Sequence, residues 1–308
     1  MQPLISLVIP VYNEEAMIPQ LFGRCMAALS AVTENFEIIC VDDGSKDRTL
    51  RLLADCHQQD KRFKVLVLSR NFGHQAAYTA GLNYAKGKYV AMMDGDLQDP
   101  PELLADMYNL LETDTVDVVY GKRTDRAEGF MKKLLIKTFH KVFKRFSNLQ
   151  ESDNVGNFSM LNRKALTAFL SLQEKNRYLP GLRFFIGFRQ GFVEYARHDR
   201  SEGEAKMSFQ RLFALALDAI FSFSDLPIKM CLYTGLSGVI IFFIAGVYTV
   251  GSKLIGVAPP GWSSQLLSMY FLGCIQLLFL GILGEYVFRI YRESQNRPIF
   301  LVQEFLED

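Results

Sequence analysis

The sequence predicts an α/β domain with a mainly parallel sheet, followed by amphipathic segments and a two-helix transmembrane hairpin. Three observations carry that class. Short apolar runs alternate with amphipathic helical stretches from residue 4 to residue 120, the pattern of β-α units whose sheet is covered on both faces. No charged residue lies between Lys229 and Lys253, nor between Lys253 and Glu285, and each run exceeds the roughly 20 residues that cross a bilayer. Pro259-Pro260-Gly261 lies between the two most apolar stretches, where it reads as the turn of the hairpin.

Taken in order, Leu4–Val11 reads as a strand and Glu15–Ala31 as a helix with Ile18, Leu21, Phe22, Cys25, Met26 and Leu29 on one face. Phe36–Val41 is a second strand ending at Asp42-Asp43-Gly44-Ser45, and a helix follows from about Asp47 with Ser45 as N-cap. A strand at Phe63–Ser69, a helix at Gln75–Ala85, a buried strand at Lys88–Met93, a helix after Pro100-Pro101 and a strand at Asp117–Tyr120 complete the alternation. Gly129–Gln150 carries Lys132, Lys133, Lys137, Lys141, Lys144 and Arg145 with no acid among them, and Met131, Leu134, Leu135, Phe139, Val142, Phe143 and Phe146 at helical spacing on another face. It is either a basic amphipathic helix suited to an anionic membrane surface or a solvated basic face over a core stripe. Phe209–Phe223 is a second amphipathic segment, leading to Pro227 and expected along the bilayer interface.

Net charge is +1, so whole-molecule electrostatics argue neither for nor against a nucleic acid, and none is expected as a partner. Lys229 precedes the first apolar run and Arg289, Arg292 and Arg297 follow the second, whereas the loop between them holds only Lys253. The positive-inside rule then places both termini in the cytoplasm, with no cleavable signal ahead of the first strand. Five cysteines without a CxxC pair suggest packed, reduced thiols and no zinc site.

The chemistry concentrates at Asp94-Gly95-Asp96, where a strand should end. Ligands of open α/β sheets bind outside the carboxyl ends of strands. Two carboxylates one residue apart repel unless a cation lies between them; Mg²⁺ or Mn²⁺ bridging them to a diphosphate accounts for the pair, and an acidic solvated turn is the plainer alternative. Gly95 is expected to let the backbone turn. A dinucleotide-binding dehydrogenase is disfavoured, because Pro10-Val11-Tyr12-Asn13-Glu14-Glu15 occupies the turn where G-x-G-x-x-G would be needed, and no P-loop motif occurs.

Pro10-Val11-Tyr12-Asn13-Glu14-Glu15, Val41-Asp42-Asp43-Gly44-Ser45-Lys46-Asp47, Ser69-Arg70-Asn71-Phe72-Gly73 and Asp94-Gly95-Asp96-Leu97-Gln98-Asp99-Pro100 occur in that order. Together with Asn176-Arg177-Tyr178, His198-Asp199-Arg200-Ser201-Glu202-Gly203 and Leu283-Gly284-Glu285-Tyr286, they resemble the polyprenyl-phosphate glycosyltransferases. That group includes dolichyl-phosphate mannose synthase and the GtrB-type undecaprenyl-phosphate glucosyltransferases. The resemblance spans essentially the whole chain. It implies a Rossmann-like GT-A nucleotide-sugar core at 1–125, an acceptor-side part at 126–206, an interfacial helix at 207–228, two transmembrane helices at 229–288 and a cytoplasmic tail at 289–308. It further implies inverting transfer of a hexose from a nucleotide sugar to polyprenyl phosphate at the cytoplasmic membrane face, by a homotetramer. UDP-glucose is the favoured donor; GDP-mannose, UDP-galactose and UDP-N-acetylhexosamines stay open.

By position, the resemblance assigns Pro10, Tyr12, Asn13, Glu14, Asp42, Asp43, Arg70 and Asp94 to the nucleotide, and Asp94 and Asp96 to the metal. Arg123, Lys132, Arg200 and Lys206 are assigned to the acceptor phosphate, with Arg200 and Asn157 also in the catalytic set. Gln98 is expected near the metal, and Glu285 as a structural contact within the membrane. One departure stands out: Val155-Gly156-Asn157-Phe158-Ser159 occupies the place where many relatives carry Gly-Asp-Phe-Arg, and Asn157 cannot take a proton. A phosphomonoester, with its second pKa near about 6, is largely a dianion already and needs no general base. A processive polysaccharide synthase is disfavoured because Trp262 is the sole tryptophan and no Gln-x-x-Arg-Trp occurs; a non-catalytic nucleotide-sugar or lipid-binding membrane protein is the remaining alternative.

Overall fold

The computed structural model describes residues 2–124, 155–175, 177–195, 226–255 and 261–307. These fall into two compact units, one holding the described residues up to 195 together with 298–307, the other those from 226 to 297. The segments Gly129–Gln150 and Phe209–Phe223, the Pro259-Pro260 turn and the residues Lys132, Arg200 and Lys206 lie outside the described residues.

In the first unit the chain runs β1 (Ile5–Val11), α1 (Ile18–Ser30), β2 (Phe36–Asp42), α2 (Thr49–Gln59), β3 (Phe63–Leu68), α3 (His74–Tyr84), β4 (Tyr89–Met92), a 3₁₀ turn (Pro101–Leu103), α4 (Leu104–Glu112) and β5 (Val118–Arg123). It continues through β6 (Val155–Asn162), α5 (Arg163–Leu170), α6 (Leu179–Phe185) and β7 (Gln190–Tyr195), and returns after the second unit as β8 (Val302–Leu306). All eight strands form one sheet in the order β7-β5-β6-β4-β1-β2-β3-β8. The four central strands β4-β1-β2-β3 are parallel, as the alternation of elements predicts. The flanks are mixed within this mainly parallel sheet: β6 lies antiparallel to both β4 and β5, β8 antiparallel to β3, and β7 parallel to β5.

Every residue of β1 and β2 is buried, as befits strands covered on both faces. Two of the polar residues among them satisfy each other: Ser6 Oγ donates to Glu37 Oε1 at 2.6 Å. Helix α3 lies tight on the sheet because it presents Ala76, Ala77, Ala80 and Gly81 there. A Cβ at Gly81 would come within 2.4 Å of Val8 Cγ1. One expected cap differs. Helix α2 begins at Thr49, close to the expected start, but has no side-chain cap at its N-cap residue; Ser45 Oγ instead accepts from the Asn13 backbone N–H at 3.0 Å.

The tail after the apolar helices is where the sequence reading and the structure differ most. Residues 302–306 pair with β3, Phe305 packs edge-on against Tyr84 at 5.0 Å, and Glu307 Oε1 meets Lys64 Nζ at 2.9 Å and also Lys86 Nζ.

The second unit contains α7 (Leu226–Leu254) and α8 (Trp262–Ser294). Among the described residues, one helical stretch, Phe271–Ser294, is long and apolar enough to cross a membrane, and Tyr233–Ala245 is a shorter apolar stretch. The helices approach each other at Gly235, where a Cβ would lie 3.8 Å from Phe279 Cε2. Helix α8 outruns the expected span and ends at Ser294, with Asn296 in the left-handed region (φ 52°) that closes helices. Glu285 pairs along this helix with Arg289 at 2.8 Å.

Asp117 ties three strands together. It accepts from Asn162 Nδ2 at 2.9 Å and from Arg189 Nε at 2.9 Å, and its backbone N–H donates to the Arg189 carbonyl at 2.8 Å. The Arg189 hydrogen bonds hold the Asp117 pKa down to about 2. A carboxyl depressed in the folded state stabilises above its unfolded value, near about 3.9, and loses that contribution as pH falls toward 2. Asp117→Asn should therefore lower the thermal unfolding midpoint at pH 7, with the gap to wild type closing between pH 4 and pH 2 in melting curves.

Candidate active site

The parallel strands all end on one edge of the sheet, and the register sets Val11 beside Asp42. The loops that follow are laced to one another by their own polar side chains. Asn13, in the left-handed region at φ 53°, accepts from the Lys46 N–H through Oδ1 at 2.8 Å, and the Glu14 N–H donates to Thr49 Oγ1 at 2.9 Å. Asp43 reaches to the next loop, accepting from the N–H groups of Phe72 and Gly73 at 2.7 and 2.9 Å. Gly44 cannot be replaced cheaply: it has φ 71°, and a Cβ would sit 2.7 Å from the backbone of Arg70 and Asn71.

This lacing leaves a cavity of about 530 Å³ lined by, among others, Tyr12, Asp42, Lys46, Arg70, Asn71 and Gln303. Of the residues assigned to the nucleotide, Tyr12, Asp42 and Arg70 line it. Pro10, Asn13, Glu14, Asp43 and Asp94 do not; Pro10 is buried in β1, Asn13 and Asp43 shape the loops, and Asp94 stands in the turn after β4. Burial raises the pKa of Asp42 against the hydrogen bonds from Ser45 that lower it. The Arg70 guanidinium lies 4.1 Å over the Phe72 ring, which fixes its direction.

The acidic turn follows β4. Asp94 receives His74 Nε2 at 3.1 Å, Tyr78 Oη at 2.6 Å and Asn157 Nδ2 at 3.4 Å, all on Oδ1. Burial alone would raise its pKa, but His74 and these donors bring it down to about 2. The same pairing raises the His74 pKa against the burial that lowers it. Asp96 Oδ1 accepts from the Gln98 N–H at 3.2 Å. Gly95 is there for room, not for a turn: a Cβ would lie 2.9 Å from Val11 Cγ1, and the left-handed residue of the loop is Leu97 at φ 54°.

No three His, Cys, Asp or Glu side chains converge to hold an ion unaided among the described residues. The turn nevertheless fits a hard divalent cation of the kind that takes one or two carboxylates and completes its shell with phosphate and water. With every donor on Asp94 gathered at Oδ1, Oδ2 accepts from none of the described residues and is left for a cation.

Behind the turn, Arg183 from α6 is fully buried and donates from Nη1 to the Asn157 carbonyl at 2.6 Å and to Ser159 Oγ, and from Nη2 to the Gly156 carbonyl at 2.6 Å. Arg123 is drawn into a second buried group. Its Nη2 donates to Asp99 Oδ1 at 3.2 Å and its Nε to Tyr195 Oη at 3.1 Å, and Tyr195 Oη donates in turn to Asp99 Oδ1. The guanidinium assigned to the acceptor phosphate is thus anchored on two of its nitrogens. Gln98 is buried beside Asp96, its Oε1 without a hydrogen-bond partner among the described residues.

Sequence reading missed His74, Tyr78, Arg183 and Gln303. His74 follows directly on Ser69-Arg70-Asn71-Phe72-Gly73, so extending that motif by one residue would have found it. No local signal marked the other three.

Residues 6–170 match the family described as glycosyl transferase family 2. A relative from Synechocystis named an uncharacterized glycosyltransferase is 40% identical over 302 residues, covering 97% of this chain and 95% of its own. The prophage bactoprenol glucosyl transferase homologue of Escherichia coli K12 is 34% identical over 301 residues, covering 97% and 98%. Among solved structures, glucosyl-3-phosphoglycerate synthase from Mycobacterium tuberculosis, in complex with Mn²⁺, UDP and glucosyl-3-phosphoglycerate, covers 71% of this chain and 77% of its own, with TM-score 0.49 and 17% identity. With an α/β sheet of this order, the laced loops at its carboxyl edge and relatives along nearly its full length, the chain belongs to glycosyl transferase family 2 and is a glycosyltransferase.

Proposed function

We propose that this chain transfers a hexose from a nucleotide sugar, UDP-glucose being favoured, to undecaprenyl phosphate at the cytoplasmic membrane face, with inversion at the anomeric carbon. One observation carries the reading: a cavity holding Asp42 and an acidic turn with Asp94 Oδ2 left for a ligand lie on the same edge of one sheet. The name of the E. coli relative, a bactoprenol glucosyl transferase homologue, supports both the lipid acceptor and the sugar. A homotetramer belongs to the same reading.

The nucleoside would occupy the cavity, with Asp42 accepting from a base N–H and Lys46 and Arg70 toward its phosphates. A divalent cation on Asp94 and Asp96 would offset charge on the departing nucleoside diphosphate. His74 and Tyr78 hold Asp94 Oδ1, so its carboxylate is oriented before any ligand arrives. Asn157 Oδ1 is buried without a partner among the described residues, an acceptor placed to take a sugar hydroxyl. The lipid phosphate, already a dianion, attacks without surrendering a proton, so no side chain need serve as base.

The membrane part is proposed as a hairpin. Strands β7 and β8 flank it and belong to one sheet, so the chain between them crosses a bilayer an even number of times. If α8 crosses once, α7 is its return; at 29 residues it spans roughly 43 Å, more than the roughly 30 Å of hydrocarbon.

Three outcomes test this. Chelation should abolish transfer of labelled glucose to undecaprenyl phosphate, Mn²⁺ or Mg²⁺ should restore it, and Asp96→Ala should lower kcat by about a hundredfold or more. Asn157→Asp would set a second carboxylate against Asp94 and raise the pKa of one of them; its turnover with saturating lipid phosphate should fall to or below that of Asn157→Ala. A gain in rate would mean that the wild type lacks a base it needs. Finally, in a variant without native thiols, Ala258→Cys should react with an impermeant maleimide in right-side-out vesicles and not in inverted ones.

A further inference from the structure

Strand β8 does more than extend the sheet. From Val67 opposite Glu304 to Leu68 opposite Val302, β3 advances one residue while β8 advances two. Gln303 is the extra residue: the pairing skips it and resumes where the Ser69 N–H donates to the Leu301 carbonyl at 3.0 Å. A β-bulge of this kind re-aims the side chain it carries, and here Gln303 lines the same cavity as Asp42 and Tyr12. The register that places the bulge is held at the far end of the strand, by Glu307 against Lys64 and Lys86 and by Phe305 against Tyr84.

We propose that Gln303 is a specificity residue for the donor base, and that with Asp42 it selects bases carrying a ring N–H next to a carbonyl, uracil in this chain. The inference deepens the nucleotide-sugar reading given above and rests on it. Asp42 as a carboxylate can only accept, so it takes the ring N–H. The carbonyl beside that N–H needs a donor, and the primary amide of Gln303 supplies one. A cytosine would present a lone pair to Asp42 at the same ring position and be repelled; although the Gln303 amide can turn its Oε1 toward an amino group, a base that Asp42 repels is not seated to use it. Acceptor and donor together therefore sort lactam bases from amino bases, by the asymmetry through which an unpaired buried polar group costs more than a good pair gains.

The test compares UDP and CDP binding to the full-length protein in detergent with Mn²⁺, for wild type, Gln303→Met and Gln303→Glu. Methionine keeps the length of the side chain without its donor, and the bulge itself is made of backbone. Wild type should prefer UDP. Gln303→Met should weaken UDP about tenfold with CDP little changed, and Gln303→Glu should move the ratio further toward CDP, whose amino group can donate to the new carboxylate. A purely structural role would weaken both nucleotides alike and leave their ratio fixed. An unchanged UDP-to-CDP ratio in both variants overturns the assignment of Gln303 while leaving the nucleotide site standing. Wild-type protein that binds neither nucleotide removes the nucleotide reading itself, and this inference with it.

Discussion

A carboxylate that is mostly buried and still ionised is the constraint around which this site is built. Asp94 stays charged because three donors from two helical turns of α3 and from β6 meet on one of its oxygens. Desolvation of an unpaired carboxylate would push it toward the neutral acid, and a neutral acid has little to offer a cation. Meeting those donors fixes α3 against the end of β4, which explains why the inner face of that helix is so small-residued: Ala76, Ala77, Ala80 and Gly81 let it come close enough for His74 and Tyr78 to reach. Asp43 then clamps the N-terminal approach to the same helix through Phe72 and Gly73. The two aspartates thus work on one element from opposite ends of a continuous set of contacts.

Arg183 deepens the same electrostatic setting. A fully buried guanidinium is costly unless hydrogen-bonded, and here it is spent on two backbone carbonyls and Ser159 at the strand that carries Asn157. With a small hydroxyl at Ser159, the strand leaves room for a cation to enter from α6. The neighbouring group of Arg123, Asp99 and Tyr195 repeats the theme, crossing from β5 to β7. Both arginines are committed to holding loops and strands, and the cations that line the cavity are Lys46 and Arg70.

The central sheet was readable because its four parallel strands are short apolar runs separated by amphipathic helices of ordinary length. The acidic turn was readable for the same reason: Asp94 and Asp96 follow directly on a recognisable strand. What escaped was whatever depends on distant residues. β8 is five residues long and follows two apolar helices, and its partner lies more than two hundred residues earlier, so nothing local announces it. The Arg123–Asp99 pair joins two residues that were each noticed and never connected. Ser45 looked like a helix cap because caps favour serine, but its hydroxyl is taken by the Asn13 loop. Gly95 shows the subtler failure, since its lack of a side chain serves Val11 and not its own backbone angle.

The return of the chain to β3 has a temporal meaning. A ribosome makes β1 to β7 first, then the long apolar helices, and only at the last the residues that close the edge of the sheet and bring Gln303 to the cavity. Until that final stretch emerges, β3 is left with an unpaired flank, the kind of edge that invites misassociation. The cavity is therefore finished after the helices are synthesised, never before, and chains truncated within those helices carry a cavity with one wall missing.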